Sequence, residues 1–299
     1  MPAVILETRV HANTLRDQLS LEVAKFKQKH NLTPGLVIVA IGEDTATYDY
    51  IKVVTRNAMR VGIKAYANLL PADISKEELI AHLQELSNRE NIHAISLQTP
   101  LPKNISLTEA GNAINPLKDV EGLSPMNNGS SYMGTPVLLP PPALGGMKLL
   151  SLYNINPAKR HAVIVGRNLI IGKPMNLLLT EANATVTVCH SQTANLAYFT
   201  RQADILVVAT QQAGLINAEM IKPGAVVVDF GINYINGKVT GDVDFERVKQ
   251  IAGAVTPMPG GTGPLTVISL LNNVLKAATL QRSEVGNQES ERLLQATEA

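Results

Sequence analysis

The sequence predicts an α/β fold in two domains, the second built on a doubly wound parallel sheet. Three observations predict it. The chain has 299 residues, and at roughly 150 per domain that suggests two. Short, continuously apolar runs alternate with helix-like stretches, the pattern of strands covered by helices on both faces. A run of prolines and glycines at 136–146, PVLLPPPALGG, separates the two alternations.

Each element has its own signal. Residues 36–41 (LVIVAI) form a β-branched run ended by Gly42, a buried strand. Residues 48–61 lack Gly and Pro and stop at Gly62, which predicts a helix. Residues 76–87 place Leu79, Ile80, Leu83 and Leu86 on one helical face. A strand at 92–98 is stopped by Pro100 and Pro102. The prolines at 140–142 are incompatible with a helix interior or a central strand, so 136–146 reads as the approach to a domain junction, with a short helix at 147–153 after it. Strand and helix then alternate: strands at 161–165, 185–189, 204–209 and 225–230, and helices at 173–182 and 194–202. An apolar helix covers 267–280, and the polar stretch 282–299 is expected to fray.

Composition narrows the chemistry. A net charge of +1 supplies no basic excess for binding nucleic acid, and the absence of Trp argues against a base-stacking platform. Cys189 is the only cysteine, which excludes an intramolecular disulfide and a cysteine zinc cage. The six histidines show no paired spacing, so no metal site is expected. Glu7 and Arg9 come too early for a signal peptide, and the apolar runs are of strand length. No membrane association and a cytoplasmic location are therefore expected.

The candidate nucleotide site lies between the strand at 161–165 and the helix from Lys173. The turn is Gly166-Arg167-Asn168-Leu169-Ile170-Ile171-Gly172. A glycine-bounded turn lets backbone approach a phosphate, and a helix start offers N–H groups and a positive dipole end. An ordinary strand–helix turn would read the same way. In dinucleotide folds a carboxylate at the next strand's tip usually takes the ribose 2′-hydroxyl. Here that tip reads His190-Ser191. Arg167 with a serine hydroxyl suits a 2′-phosphate, which favours NADP over NAD. The alternative is that Arg167 is a solvated surface arginine.

Eight strings, taken in order, resemble the methylenetetrahydrofolate dehydrogenase/methenyltetrahydrofolate cyclohydrolase family. They are IGEDTATYDY (41–50), LQTPLP (97–102), INPLKDVEG (114–122), VGRNLIIGKPM (165–175), TVTVCHSQT (185–193), KPGAVVVDFGIN (222–233), GDVDF (241–245) and TPMPGGTGPLT (256–266). The resemblance implies a folate-side catalytic α/β domain at 1–140 and a Rossmann-type NADP-binding domain at 141–266, with a cleft between them. Helix 267–299 would pack back on the first domain. It also implies a homodimer that moves a hydride from 5,10-methylenetetrahydrofolate to NADP and then hydrates the methenyl cation. By matching positions, Tyr50 and Gln98 would be catalytic and would bind folate with Pro100, Glu121, Gly263 and Pro264. Gly166, Arg167, Asn168, Ser191, Ile232 and Thr266 would bind the cofactor.

The departures from the family pattern carry their own expectations. The family has a lysine four residues after the tyrosine, and here that residue is Val54. Positions i and i+4 share a helix face. Lys52 lies about 200° round the helix and would point away. Hydride transfer depends on positioning, whereas hydration and ring opening need proton transfer. Val54 is therefore expected to weaken or abolish the cyclohydrolase step and spare the dehydrogenase. Full bifunctionality, or a non-catalytic binding paralogue, remain the alternatives. Glu121 stands where the family has aspartate, Thr99 where it has leucine, and Asn168 where it has serine. Pro140-Pro141-Pro142-Ala143 replaces a PCTP-like string, and Gln211 replaces a glycine. Asp229, closing an apolar strand, could simply cap or turn the chain.

Overall fold

A computed structural model describes residues 2–42, 44–235 and 237–297, with side chains described up to 283. Its elements in chain order are β1 (Val4–Ile5), α1 (Arg9–His30), β2 (Gly35–Ile41), α2 (Thr45–Val61), β3 (Lys64–Leu70), α3 (Lys76–Asn88), β4 (Ala94–Leu97), α4 (Leu107–Asn112), α5 (Pro125–Tyr132) and α6 (Pro141–Leu152). There follow β5 (His161–Val165), α7 (Gly172–Glu181), β6 (Thr185–Cys189), α8 (Leu196–Thr200), β7 (Ile205–Val208), β8 (Val226–Asp229), β9 (Asn233–Ile235), β10 (Lys238–Thr240), α9 (Phe245–Val248), β11 (Ala254–Val255) and α10 (Thr262–Thr297). The chain divides into two compact units, Met1–Leu15 with Pro140–Ser269, and Arg16–Leu139 with Leu270–Ala299.

The first unit holds a six-stranded sheet in the order β1-β11-β8-β7-β5-β6, with every pair parallel. Side chains alternate across a strand, so a strand covered on both faces must be apolar throughout. Ile164, Val207 and Val228 pack on one face with Leu149 and Leu150 of α6 and Leu179 of α7. Val163, Leu206 and Val227 pack on the other with Ile216, Val243 and Val248. Strand β6 lies at the sheet's edge and is only partly buried.

Residues 1–15 were expected with the folate-side domain, but they group with 140–269 because β1 pairs with β11. A second correction concerns the prolines. Helix α6 begins at Pro141, not 147, and carries Pro141 and Pro142 in its first turn, where the missing N–H groups would have no intrahelical partner. Third, 282–297 continues α10 as helix rather than fraying; residues 298 and 299 of that expectation lie outside the described residues.

The second unit holds a three-stranded parallel sheet, β3-β2-β4. Helix α2 starts at Asp44, whose carboxylate accepts from Thr47 N at 2.8 Å, and stops at Gly62, whose φ of +86° favours glycine. Helix α3 starts on a reciprocal Ser75–Glu78 cap. Ile95 N donates to Lys118 O at 2.7 Å, laying residues 118–121 alongside β4. Asn273 and Gln281 of α10 donate side-chain hydrogens to the carbonyls of Val120, Leu139, His93 and Leu117.

Candidate functional site

In the second unit, β4 and the strand-like segment beside it set three polar side chains in a row. Gln98 Nε2 donates to Ser96 Oγ at 2.7 Å, and Ser96 Oγ donates to Glu121 Oε1 at 2.5 Å. Ser96 is fully buried and Glu121 is 9% exposed. Burial, helped by the Asp119 charge, pushes the Glu121 carboxyl up to about 7, against the lowering by Ser96 and Gln98. Asp119 itself is held by Leu123 N, Ser124 N and Asn127 Nδ2, with burial pushing its carboxyl up. It fixes the turn from which Glu121 projects.

Tyr50, half-buried in α2, has its hydroxyl pushed well above the usual phenol range by burial and then by the Glu121 charge. It stays protonated and can donate. Val54, one turn on, is fully buried in the stripe Ile51, Val54, Ala58 and Val61. Lys52 points away as the helix geometry required: its ammonium pairs with Asp49 at 3.1 Å and its side chain is 73% exposed. Pro100 is exposed after the cis Thr99–Pro100 bond. The second unit thus brings Tyr50, Gln98 and Glu121 into one electrostatically linked group.

In the first unit, the candidate cofactor residues lie beyond the C-terminal ends of β5, β6 and β8 and at the start of α10. The chain passes from β6 across β5 to β7, so the strand order reverses beside β5, where open α/β sheets bind ligands. Gly166 has φ +128°, and a Cβ there would strike the Ala209 carbonyl. A Cβ on Gly172 would likewise strike the Gly166 carbonyl. The turn therefore closes only with glycine at both positions.

Asn168 has a specific job in that turn. Its Oδ1 accepts from the N–H groups of Ile170, Ile171 and Gly172, at 3.2, 2.7 and 3.3 Å, and its Nδ2 donates to Ala209 O at 3.1 Å. The N–H groups of 170–172, in the turn before the helix start expected at Lys173, are thus occupied by an asparagine amide. Arg167 and Ser191 are both exposed, each two residues beyond the paired strand ends Val165 and Cys189. Ile232 is 54% exposed. Thr266 donates to Thr262 O at 3.1 Å. Gly263 has open space where a side chain would start, and Pro264 is half-buried. Cys189 is buried, which raises its thiol and leaves it unsuited to nucleophilic attack.

Three functional-looking residues escaped the sequence reading. Ser96 is one, and its signal was a hydroxyl inside the apolar strand AISL. Asp242 is another. Its Oδ2 accepts from Thr210 N at 2.6 Å, Thr210 Oγ1 at 2.9 Å and Gln211 N at 3.0 Å. Asp119 is the third, and only the fold shows that it anchors a turn. Asp229, read as a cap or turn residue, accepts from Gly231 N, Asp242 N and Val243 N at 2.7, 3.2 and 3.0 Å. Among the described residues no group of three or more His, Cys, Asp or Glu side chains could hold a metal, and no helix is long and apolar enough to cross a membrane.

Comparison with known proteins adds to this geometry. Residues 6–121 match the catalytic domain of tetrahydrofolate dehydrogenase/cyclohydrolase, and residues 140–282 match its NAD(P)-binding domain. The bifunctional protein FolD of Herpetosiphon aurantiacus is 45% identical over 279 residues, 93% of this chain and 98% of its own. The crystal structure of the bifunctional FolD methylenetetrahydrofolate dehydrogenase/cyclohydrolase from Campylobacter jejuni superposes with a TM-score of 0.88 at 36% identity, covering 93% of this chain and 99% of that one. The Trypanosoma brucei methylenetetrahydrofolate dehydrogenase-cyclohydrolase, solved with NADP and an inhibitor, gives 0.89 at 33% identity, covering 94% and 99%.

Proposed function

The chain belongs to the tetrahydrofolate dehydrogenase/cyclohydrolase family, and from that premise we propose that it is an NADP-dependent methylenetetrahydrofolate dehydrogenase with a weakened cyclohydrolase step. The observation that carries the second half is Val54, a fully buried apolar side chain where the family has lysine, with Lys52 engaged by Asp49 instead.

The residues divide the work by chemistry. Glu121, as a carboxylate, accepts from the amino and ring N–H groups of the pterin, while Tyr50 offers a neutral O–H and Gln98 an amide. Gly263 and Pro264 line the folate, and Pro100 shapes the loop after Gln98. Arg167 and Ser191 take the 2′-phosphate, Gly166 and Asn168 hold the turn against the diphosphate, and Ile232 and Thr266 border the nicotinamide. NADP supplies the hydride acceptor. These side chains align the methylene carbon for transfer, which requires no proton movement by the protein. Hydration and ring opening of the methenyl product do require it, and general acid–base help is typically worth ~10²–10⁴-fold.

Parallel assays on the purified protein test the proposal, with NADPH formation followed in one and methenyl decay in the other. Ready NADPH formation with methenyl decay near the uncatalysed rate is the expected result. No turnover with measurable ligand binding would select a binding paralogue. Full bifunctionality is favoured by one observation, the Glu121 carboxyl near 7, which can hold or release a proton at neutral pH. The proposal extends to a cytoplasmic homodimer, which light scattering and cell fractionation would check.

A further inference from the structure

The Gln98–Ser96–Glu121 row has a direction, and protons fix it. A serine hydroxyl carries one hydrogen. Opposite an ionised carboxylate that hydrogen must go to Glu121, because a carboxylate only accepts. Ser96 then has only lone pairs left for Gln98, so the amide must turn its NH2 toward Ser96, as the 2.7 Å contact from Nε2 records. The other end of the amide, Oε1, is the end that Ser96 does not engage.

We propose that Ser96 is a positioning residue that fixes the polarity of the Gln98 amide, so that Gln98 presents its carbonyl oxygen as an acceptor to a ligand N–H or an ordered water. Without the hydroxyl, only the Glu121 carboxylate remains in the row to favour one amide orientation, and more of the Gln98 side chains would meet the ligand with a donor. Glu121 loses the Ser96 donor at the same time. Ser96 lies on β4 and Gln98 just past its end, where Gln98 N still donates to Val39 O at 2.8 Å; residues two apart share a face, so the pairing is built into the end of β4. The inference rests on the reading of Gln98 as a folate-site residue.

A double-mutant cycle tests it, with kcat/KM for methylenetetrahydrofolate as the readout and Tm as the fold control. Ser96→Ala is expected to lower kcat/KM about tenfold, the scale of losing a hydrogen bond to a charged group. In a Gln98→Ala background the same change removes only the Glu121 contact, so its effect on kcat/KM is expected to be at least about threefold smaller than in the parent while Tm falls equally. Ser96→Thr keeps the hydroxyl and is expected to retain most of the activity. An equal loss in both backgrounds, or no loss on Ser96→Ala, overturns the proposal while leaving Gln98 in its role. If Gln98→Ala by itself leaves turnover intact, the assignment of Gln98 fails and Ser96 has nothing to position.

Discussion

Two buried carboxylates in this protein are pushed up to about the same acidity in very different surroundings. Asp229 and Glu121 each rise to about 7, in both cases mainly through burial. Asp229 is saturated by three backbone N–H groups, and a Cβ on Gly241 would collide with it. Asp242 beside it grips Thr210, Gln211 and Asn233. Glu121 has no backbone donor among the described residues; Ser96 donates to one oxygen and the Gln98 amide lies beside it. The lesson is that a shifted acid by itself does not mark a reactive group. The number of fixed donors around it separates a clasp from a carboxylate able to receive a ligand.

The comparison can be broken or sharpened by experiment. The largest effect is expected from Val54→Lys, which adds a cation on the Tyr50 side of the Glu121 group and leaves Asp229 alone. Methenyl decay should accelerate by ~10²–10⁴-fold, with NADPH formation changed by less than about threefold. No acceleration in a folded variant would show that position 54 does not limit the hydrolytic step.

Next in size is the contrast of alanine variants. Asp229→Ala orphans three backbone donors and should cost about 3–5 kcal/mol in urea unfolding. Glu121→Ala should cost about 1–2 kcal/mol, yet raise the folate KM by at least ~10-fold. Equal destabilisation by the two would collapse the distinction.

Their pH behaviour should be shared in sign. Both folded values lie above the unfolded 3.8 and 4.5, so the folded state binds more protons between about 4 and 7. Stability contributed by these groups is full below about 4 and is lost as pH rises through 7. On the proposed reading folate binding runs the other way, because a Glu121 that accepts from the pterin has to be ionised. Folate kcat/KM should rise through about pH 7, and Glu121→Gln should flatten that limb. A profile flat from pH 5.5 to 8.5 in the parent would remove Glu121 from binding.

The smallest effect concerns Gln211, whose φ of +56° is left-handed, where the family has glycine. Its N–H is held by Asp242, and Gln211→Gly should stabilise by at most about 1 kcal/mol, read as a Tm rise of a few degrees.

What the sequence made legible follows the same physics. Strands β5, β7 and β8 were readable because burial on both faces leaves no alternation to confuse. Helix α1 was missed although Ala12, Leu19, Val23 and Phe26 form its buried stripe, because charged and polar residues dilute it. Strand β3 was missed because it is an edge strand with most positions at least partly exposed. Tyr50, Gln98 and Glu121 could be nominated by motif, but Ser96 could not. Its contact with Glu121 depends on residue 121 being laid beside β4, 25 positions away in sequence.

Both compact units are discontinuous in the chain. The first needs residues 1–15 and everything from 140 to 269, and the second begins at 16 but ends with 270–299. On the ribosome, neither unit has all its parts until residue 269 has been made. The three-stranded sheet emerges early and waits for α10, whose Asn273 and Gln281 satisfy carbonyls at 93, 117, 120 and 139. Domain-by-domain maturation during synthesis, the habit of tandem architectures, is closed to this one. A release of the chain before residue 269 leaves two unfinished cores rather than one finished domain.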